Sequence, residues 1–188
     1  MKAVEELPEG YKEYYSIDLQ KNKKASLLEN ALALVIAVLL IVPMHIVIPI
    51  SIFHADKGYI IRLFSLVLLL VVYMILHELV HGIAMKSCGT KKVKYGFTGL
   101  YAFAGSNDYY DKKSYIYIAL APIVLLGIFI AIINLIVSDE WFWVVYFIQI
   151  TNLSGAAGDL FVNVKFSRFP NDILIKDDGV GMTVFSKE

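Results

Sequence analysis

Val72-Tyr73-Met74-Ile75-Leu76-His77-Glu78-Leu79-Val80-His81-Gly82 closes a long apolar run with two histidines and a glutamate. Residues four apart share one face of a helix, so both imidazoles can reach one metal ion, in the H-E-x-x-H pattern. Glu78 stands on a neighbouring face. It is poorly placed to join the same metal, but well placed to hold and deprotonate water beside it. Three ionisable groups in apolar sequence are costly to bury, which makes them functional candidates by default. The competing explanation is chance: two core histidines and a snorkelling glutamate. With only four histidines in the chain, an accidental match of this spacing is the weaker explanation.

The rest of the chain supplies a membrane frame for this stretch. Of its 188 residues, 58% are hydrophobic and 18% charged, the balance of a polytopic membrane protein rather than a soluble domain. A net charge of zero gives no electrostatic footprint for nucleic acid. The single cysteine, Cys88, excludes an intramolecular disulfide and reads as a bystander. No cleavable leader is expected, because the first apolar run is too long for an h-region and lacks a small-residue exit.

The expected architecture is an all-α integral membrane protein with four spans, at about 27–52, 59–86, 114–137 and 141–164, forming one membrane domain over 26–164. A polar arm, 1–25, precedes it and could lie on the membrane surface. A polar tail, 165–188, follows it. Each span is long enough for the roughly 30 Å hydrocarbon core. Ser26 and Glu29 have capping-box spacing at the head of the first. Pro43, Pro49 and Pro122 should bend their helices, leaving carbonyls that neighbours must satisfy. Asp56 is a plausible N-cap and Gly89 a plausible stop for the second span. In the central connection, 86–113, two β-prone runs, Val93–Phe97 and Leu100–Phe103, flank Thr98-Gly99 and suggest a small hairpin. In the tail, Ile173–Ile175 and Met182–Phe185 flank Asp177-Asp178-Gly179, a second hairpin with a turn needing positive φ. His45 reads as an interfacial or hydrogen-bonded histidine away from the motif, though a bend could turn it inward. His54 reads as a solvated loop residue.

Lysine and arginine set the orientation. The arm, the central connection and the tail together carry fifteen, while the other side has only Lys57 and Arg62. Both termini and the central connection are therefore expected in the cytoplasm. The second span then runs toward the cytoplasm, with His81 roughly 7 Å before Lys86 and His77 roughly 6 Å deeper at 1.5 Å per residue. The fourth runs the same way, and Asp159, six residues before Lys165, falls at a similar depth. A carboxylate there needs a partner, and a His77-His81-Asp159 zinc site provides one. The alternative is a snorkelling aspartate, or one paired with Lys165. Asn152, two turns earlier, could polarise a substrate carbonyl or oxyanion, or could make an interhelical hydrogen bond with no catalytic role. Gly155, Ala156, Ala157 and Gly158 lack bulk and permit close helix approach.

HELVHG at the cytoplasmic end of a span, with a late span carrying Asn152 and Asp159, resembles the site-2 protease type of intramembrane metalloprotease. The arrangement of four spans and a short tail is more similar to a bacterial membrane family of zincin peptidases, over most of the chain from about residue 8. The second motif departs from the site-2 pattern: Gly155 occupies its proline position, the Asn-to-Asp spacing is one residue shorter, and Leu160 follows Asp159. The resemblance implies His77, His81 and Asp159 as zinc ligands and Glu78 as general base. It also implies that the 93–103 segment holds an extended substrate by strand addition, although a hairpin that merely covers the site would fit as well. The expectation is thus a zinc-dependent, membrane-embedded peptidase acting from the cytoplasmic side on a peptide in or near the bilayer. The rivals are a non-catalytic metal-binding membrane regulator or adaptor, and a structural protein without metal.

The fifteen-to-two asymmetry has a direct test. Reporter fusions after Lys112 and Glu188 should read cytoplasmic and one at Asp139 should read the far side; any other pattern removes the common-depth argument.

Overall fold

The computed structural model describes residues 3–18, 22–53, 56–99, 101–179 and 181–187. His54 lies outside the described residues. In chain order the elements are β1 (Lys12–Asp18), α1 (Lys23–Val47), α2 (Tyr59–Ser87), β2 (Lys94–Phe97), β3 (Ala102–Gly105), β4 (Tyr109–Asp111), α3 (Lys112–Ile136), α4 (Asp139–Gly155), α5 (Ala157–Ser167), β5 (Leu174–Asp177) and β6 (Gly181–Ser186).

Among the described residues, three helices, α1, α2 and α3, are long and apolar enough to cross a membrane. Their outward faces are apolar and exposed, through Leu34, Leu39, Ile46, Phe64, Leu68, Val124 and Leu135 among others. Apolar surface on that scale is out of place in water. The expected fourth span is not one helix. It breaks at Ala156 (φ −84°, ψ 18°) into α4, of 17 residues, and α5, of 11. The small residues read as a close-packing surface also weaken the helix, since Gly155 has poor helix propensity. Ala156 starts α5 anew, its carbonyl accepting from the Leu160 N–H at 3.0 Å.

The first helix also differs from expectation. Asn22 caps it by accepting from the Ala25 N–H at 3.1 Å, so it starts before Ser26 and ends at Val47. Pro49 is therefore outside it. His45 Nδ1 accepts from the Ile50 N–H at 3.1 Å, a bond to its own chain rather than a path inward. The carbonyls of Ile48 and Pro49 are satisfied by Trp143 Nε1 at 3.1 and 3.0 Å. Gly58 stands at the N-cap of α2, while Asp56 accepts from its N–H at 2.7 Å and pairs with Arg62. Gly89 (φ +103°) ends the turn after α2.

The chain is mostly helical but not all-α. Both expected hairpins form, β2–β3 and β5–β6. Two further strands extend the second into a four-stranded antiparallel sheet of order β1-β6-β5-β4. β1 comes from the arm expected to be irregular. It buries Ile17 and half-buries Tyr15 while Tyr14 and Ser16 stay exposed, the period-2 alternation of a strand. This sheet gathers the arm, the end of the central connection and the tail at one end of the helices. One core ties it to them through Met85, Tyr110, Tyr115, Ile118, Phe166, Ile175 and Val184.

The two sheets meet where Gly105 passes the β5–β6 turn. A Cβ at Gly105 would lie 2.2 Å from the Asp178 carbonyl carbon. That contact is backbone and has no flexible end to yield. Gly105→Ala should therefore destabilise the protein by about 1–3 kcal/mol, as overpacking does, read as a lower thermal midpoint in detergent; an unchanged midpoint would remove this contact from the fold's constraints.

Candidate metal centre

The site is built on α2. Its helical repeat sets Tyr73, His77 and His81 one above another, and ring–ring packing follows, with centroids 5.7 Å apart for Tyr73–His77 and 4.8 Å for His77–His81. Tyr73 and His81 are buried, at 7% and 9% exposure. Asp159 enters from the first turn of α5, where free backbone N–H groups favour a negative charge. Its Oδ2 lies 3.5 Å from His77 Nε2 and 3.6 Å from His81 Nε2, and the two Nε2 atoms are 3.2 Å apart. One potential ligand atom from each of the three residues lies within 4.8 Å of the other two.

The remote nitrogens of both rings are engaged. His81 Nδ1 lies 3.0 Å from the Ile118 carbonyl. A carbonyl can only accept, so His81 donates from Nδ1 and keeps a lone pair on Nε2. His77 Nδ1 lies 3.0 Å from the Tyr73 hydroxyl, which donates to Asn152 Oδ1 at 3.2 Å. With its one hydrogen given to Asn152, Tyr73 accepts from His77 Nδ1–H, and His77 too keeps its lone pair on Nε2. With both rings neutral, three acceptors converge with no hydrogen between them. That arrangement calls for a cation.

The spacing suits zinc. Tetrahedral ligands at roughly 2.0–2.2 Å from the ion stand roughly 3.3–3.5 Å apart, against the 3.2, 3.5 and 3.6 Å found here. Two neutral imidazole nitrogens and one carboxylate form a usual catalytic donor set that leaves a position open.

Asn152 does not reach this space. It is fully buried, accepts from Tyr73, and donates from Nδ2 to the Ile123 carbonyl at 3.1 Å. These bonds are the interhelical ones that were one of its two expected roles. Gly127 makes room for it, since a Cβ there would lie 3.0 Å from Asn152 Nδ2.

A cavity of about 1010 Å³ opens in front of His77, His81 and Asp159, lined also by Glu78, Glu29, Tyr115 and Asp177. Glu78 is half-buried, and its carboxylate faces the backbone N–H of Ala104 on β3. That contact brings the β2–β3 hairpin along the cavity. Gly82 allows Tyr95 of the same hairpin to sit against α2, for a Cβ on Gly82 would collide with the Tyr95 hydroxyl at 1.9 Å. Thr98, Tyr101 and Phe103 also border the cavity.

Sequence reasoning missed several of these groups. Tyr73 stood in the decisive stretch, four residues before His77, and its spacing was the available signal. Glu29 was read as a cap but lines the cavity, with Oε1 buried and unpartnered. Asp177 was read as part of a turn. Burial pushes its carboxyl above the usual aspartate value, against hydrogen bonds from Tyr115 and the Gly179 N–H that favour the charged form. Asp111 caps α3 by accepting from the Ser114 N–H at 2.8 Å, as expected of an acid there.

Comparison with known proteins places these residues in a wider setting. The profile of a family described as "Putative zincin peptidase" matches residues 70–174, a segment holding every residue of the centre. A protein from Pyrococcus woesei, named "Uncharacterized 24.7 kDa protein in gap 5'region", is 34% identical over 122 residues, covering 62% of this chain and 53% of that protein. The match thus spans about half the length of that relative. No solved structure matches the chain.

Proposed function

The chain belongs to the zincin-peptidase family whose profile covers its centre, and from that premise we propose that it is a membrane-embedded zinc peptidase cleaving a peptide bond in or near the bilayer, from the cytoplasmic side. The observation that carries this reading is the convergence of His77 Nε2, His81 Nε2 and Asp159 Oδ2 on one point beside Glu78. His77, His81 and Asp159 would hold zinc. When bound, zinc supplies Lewis acidity toward a peptide carbonyl and toward water.

The chain's own groups supply the rest. Glu78 takes a proton from the attacking water and returns it to the amide nitrogen as the carbon–nitrogen bond breaks, so water adds across the bond and the base is regenerated. The Ala104 N–H facing the Glu78 carboxylate turns one edge of β3 toward the cavity. An extended peptide can pair with that edge, which would carry its scissile carbonyl past the three ligands. Asn152 supports His77 through Tyr73 and takes no direct part.

Glu78→Gln is expected to keep the fold and the zinc while abolishing turnover, because an amide cannot accept the proton. Comparison of membrane proteomes from wild-type and Glu78→Gln cells should show uncut substrate accumulating in the variant. Turnover near the wild-type rate in Glu78→Gln would instead make the protein a non-catalytic metal binder.

Asp159→Ala should lower zinc occupancy and activity together, since two imidazoles alone make a weak zinc site. Asp108→Ala should leave both intact, and Asp111→Ala should cost about 1 kcal/mol of stability as a lost cap without loss of zinc. Full zinc in Asp159→Ala at limiting metal would refute the third ligand.

A further inference from the structure

Pro122 lies inside α3, which is helical from Lys112 to Ile136. In an α-helix the carbonyl of residue 118 is served by the N–H of residue 122. Proline has no N–H, and its ring pushes that same carbonyl aside. The Ile118 carbonyl is thus left without its helical donor in a place closed to water, Ile118 being 2% exposed. A buried carbonyl must find another partner, and here the partner is His81 Nδ1, at 3.0 Å from another helix.

We propose that Pro122 is a positioning residue of the metal centre: by withholding an N–H from α3, it dedicates the Ile118 carbonyl to His81 Nδ1 and so fixes the nitrogen that His81 presents to the metal. The inference rests on His77, His81 and Asp159 as a metal site, but assigns a role to a residue that touches none of the cavity's contents. The other proline inside a described helix, Pro43, frees the carbonyl four residues before it, that of Leu39 in α1, whereas the acceptor of His81 comes from α3; Pro43 therefore serves as a control.

A purely structural proline and a positioning proline differ in what their removal does. Replacing Pro122 by alanine restores the N–H and a better helix former, so the helix gains while His81 must share its acceptor. A carbonyl has two lone pairs, so the new N–H competes without fully excluding His81. The expected zinc loss is therefore about 10-fold, the lower end of what removal of a ligand's outer hydrogen-bond partner costs.

The test uses the full chain purified in detergent, with zinc affinity from competition against a chelator and stability from the thermal midpoint of the metal-free protein. Pro122→Ala and Pro122→Leu should both bind zinc about 10-fold more weakly at an unchanged or higher midpoint, because both restore the N–H while differing in volume. Pro43→Ala should bind zinc as the wild type does. Zinc affinity within twofold of wild type in both Pro122 variants overturns the proposal. So does a loss confined to one of them, or one accompanied by a fallen midpoint, since either marks a packing role. A wild-type protein that takes no zinc would overturn the metal-centre reading itself, which is distinguishable from every variant-specific result.

Discussion

Two imidazole nitrogens and a carboxylate oxygen held face to face form the constraint on which the rest of this structure depends; with both rings neutral, no hydrogen stands between them. His77 Nε2, His81 Nε2 and Asp159 Oδ2 stand 3.2 to 3.6 Å apart. Left alone they repel, and a flexible chain would turn them away toward water or toward donors. They stay because each is committed elsewhere. The two imidazoles occupy successive turns of a single helix, and each uses its far nitrogen on a fixed acceptor. The carboxylate sits in the first turn of α5, where unpaired backbone N–H groups offset its charge.

The break between α4 and α5 follows from the same requirement. A continuous helix through residue 159 would offer Asp159 no helix N-terminus, only a mid-helix position in apolar surroundings. Restarting the helix at Ala156 supplies local compensation and places the acid against α2. Gly158 lies beside Glu29 of α1, with room to spare: a Cβ there would sit at ordinary contact distance, 3.8 Å from Oε1.

How much of this was legible depends on whether the determinant is a side-chain spacing or a backbone geometry. The i, i+4 histidines are a spacing, so the shared face of α2 could be read directly. Asp159 was legible from depth along a span, although the span itself breaks. The break was not legible, because Gly155 to Gly158 reads equally well as a surface for close packing and as a weak point in a helix. Strand β1 was hidden for another reason. Its alternation covers only Tyr15 and Ile17, and its partner β6 lies at the far end of the chain. The acceptor of His81 is a main-chain carbonyl, which has no side-chain signature at all. Its sole trace in the sequence was Pro122, expected to bend its helix and free a carbonyl that a neighbour must satisfy; that neighbour is His81.

The four-stranded sheet completes the argument, because it fixes the cavity from the side away from the helices. Tyr115 of α3 donates to Asp177 Oδ2 at 2.7 Å, and Ser106, next to β3, donates its backbone N–H to the Asp177 carbonyl at 2.8 Å. Lys112, the first residue of α3, donates to the carbonyls of Ser167, the last residue of α5, and of Phe169 just beyond it. These bonds tie the β2–β3 hairpin, the tail and the two helices that flank the ligands into one assembly. A hairpin carried on a loose connection would leave the Ala104 N–H free to drift from Glu78. Anchored at Asp177, the edge of β3 keeps a constant distance from the helix that bears the motif. The sheet, of which the sequence suggested only the β5–β6 hairpin, is therefore what turns a pair of histidines in a helix into a walled site.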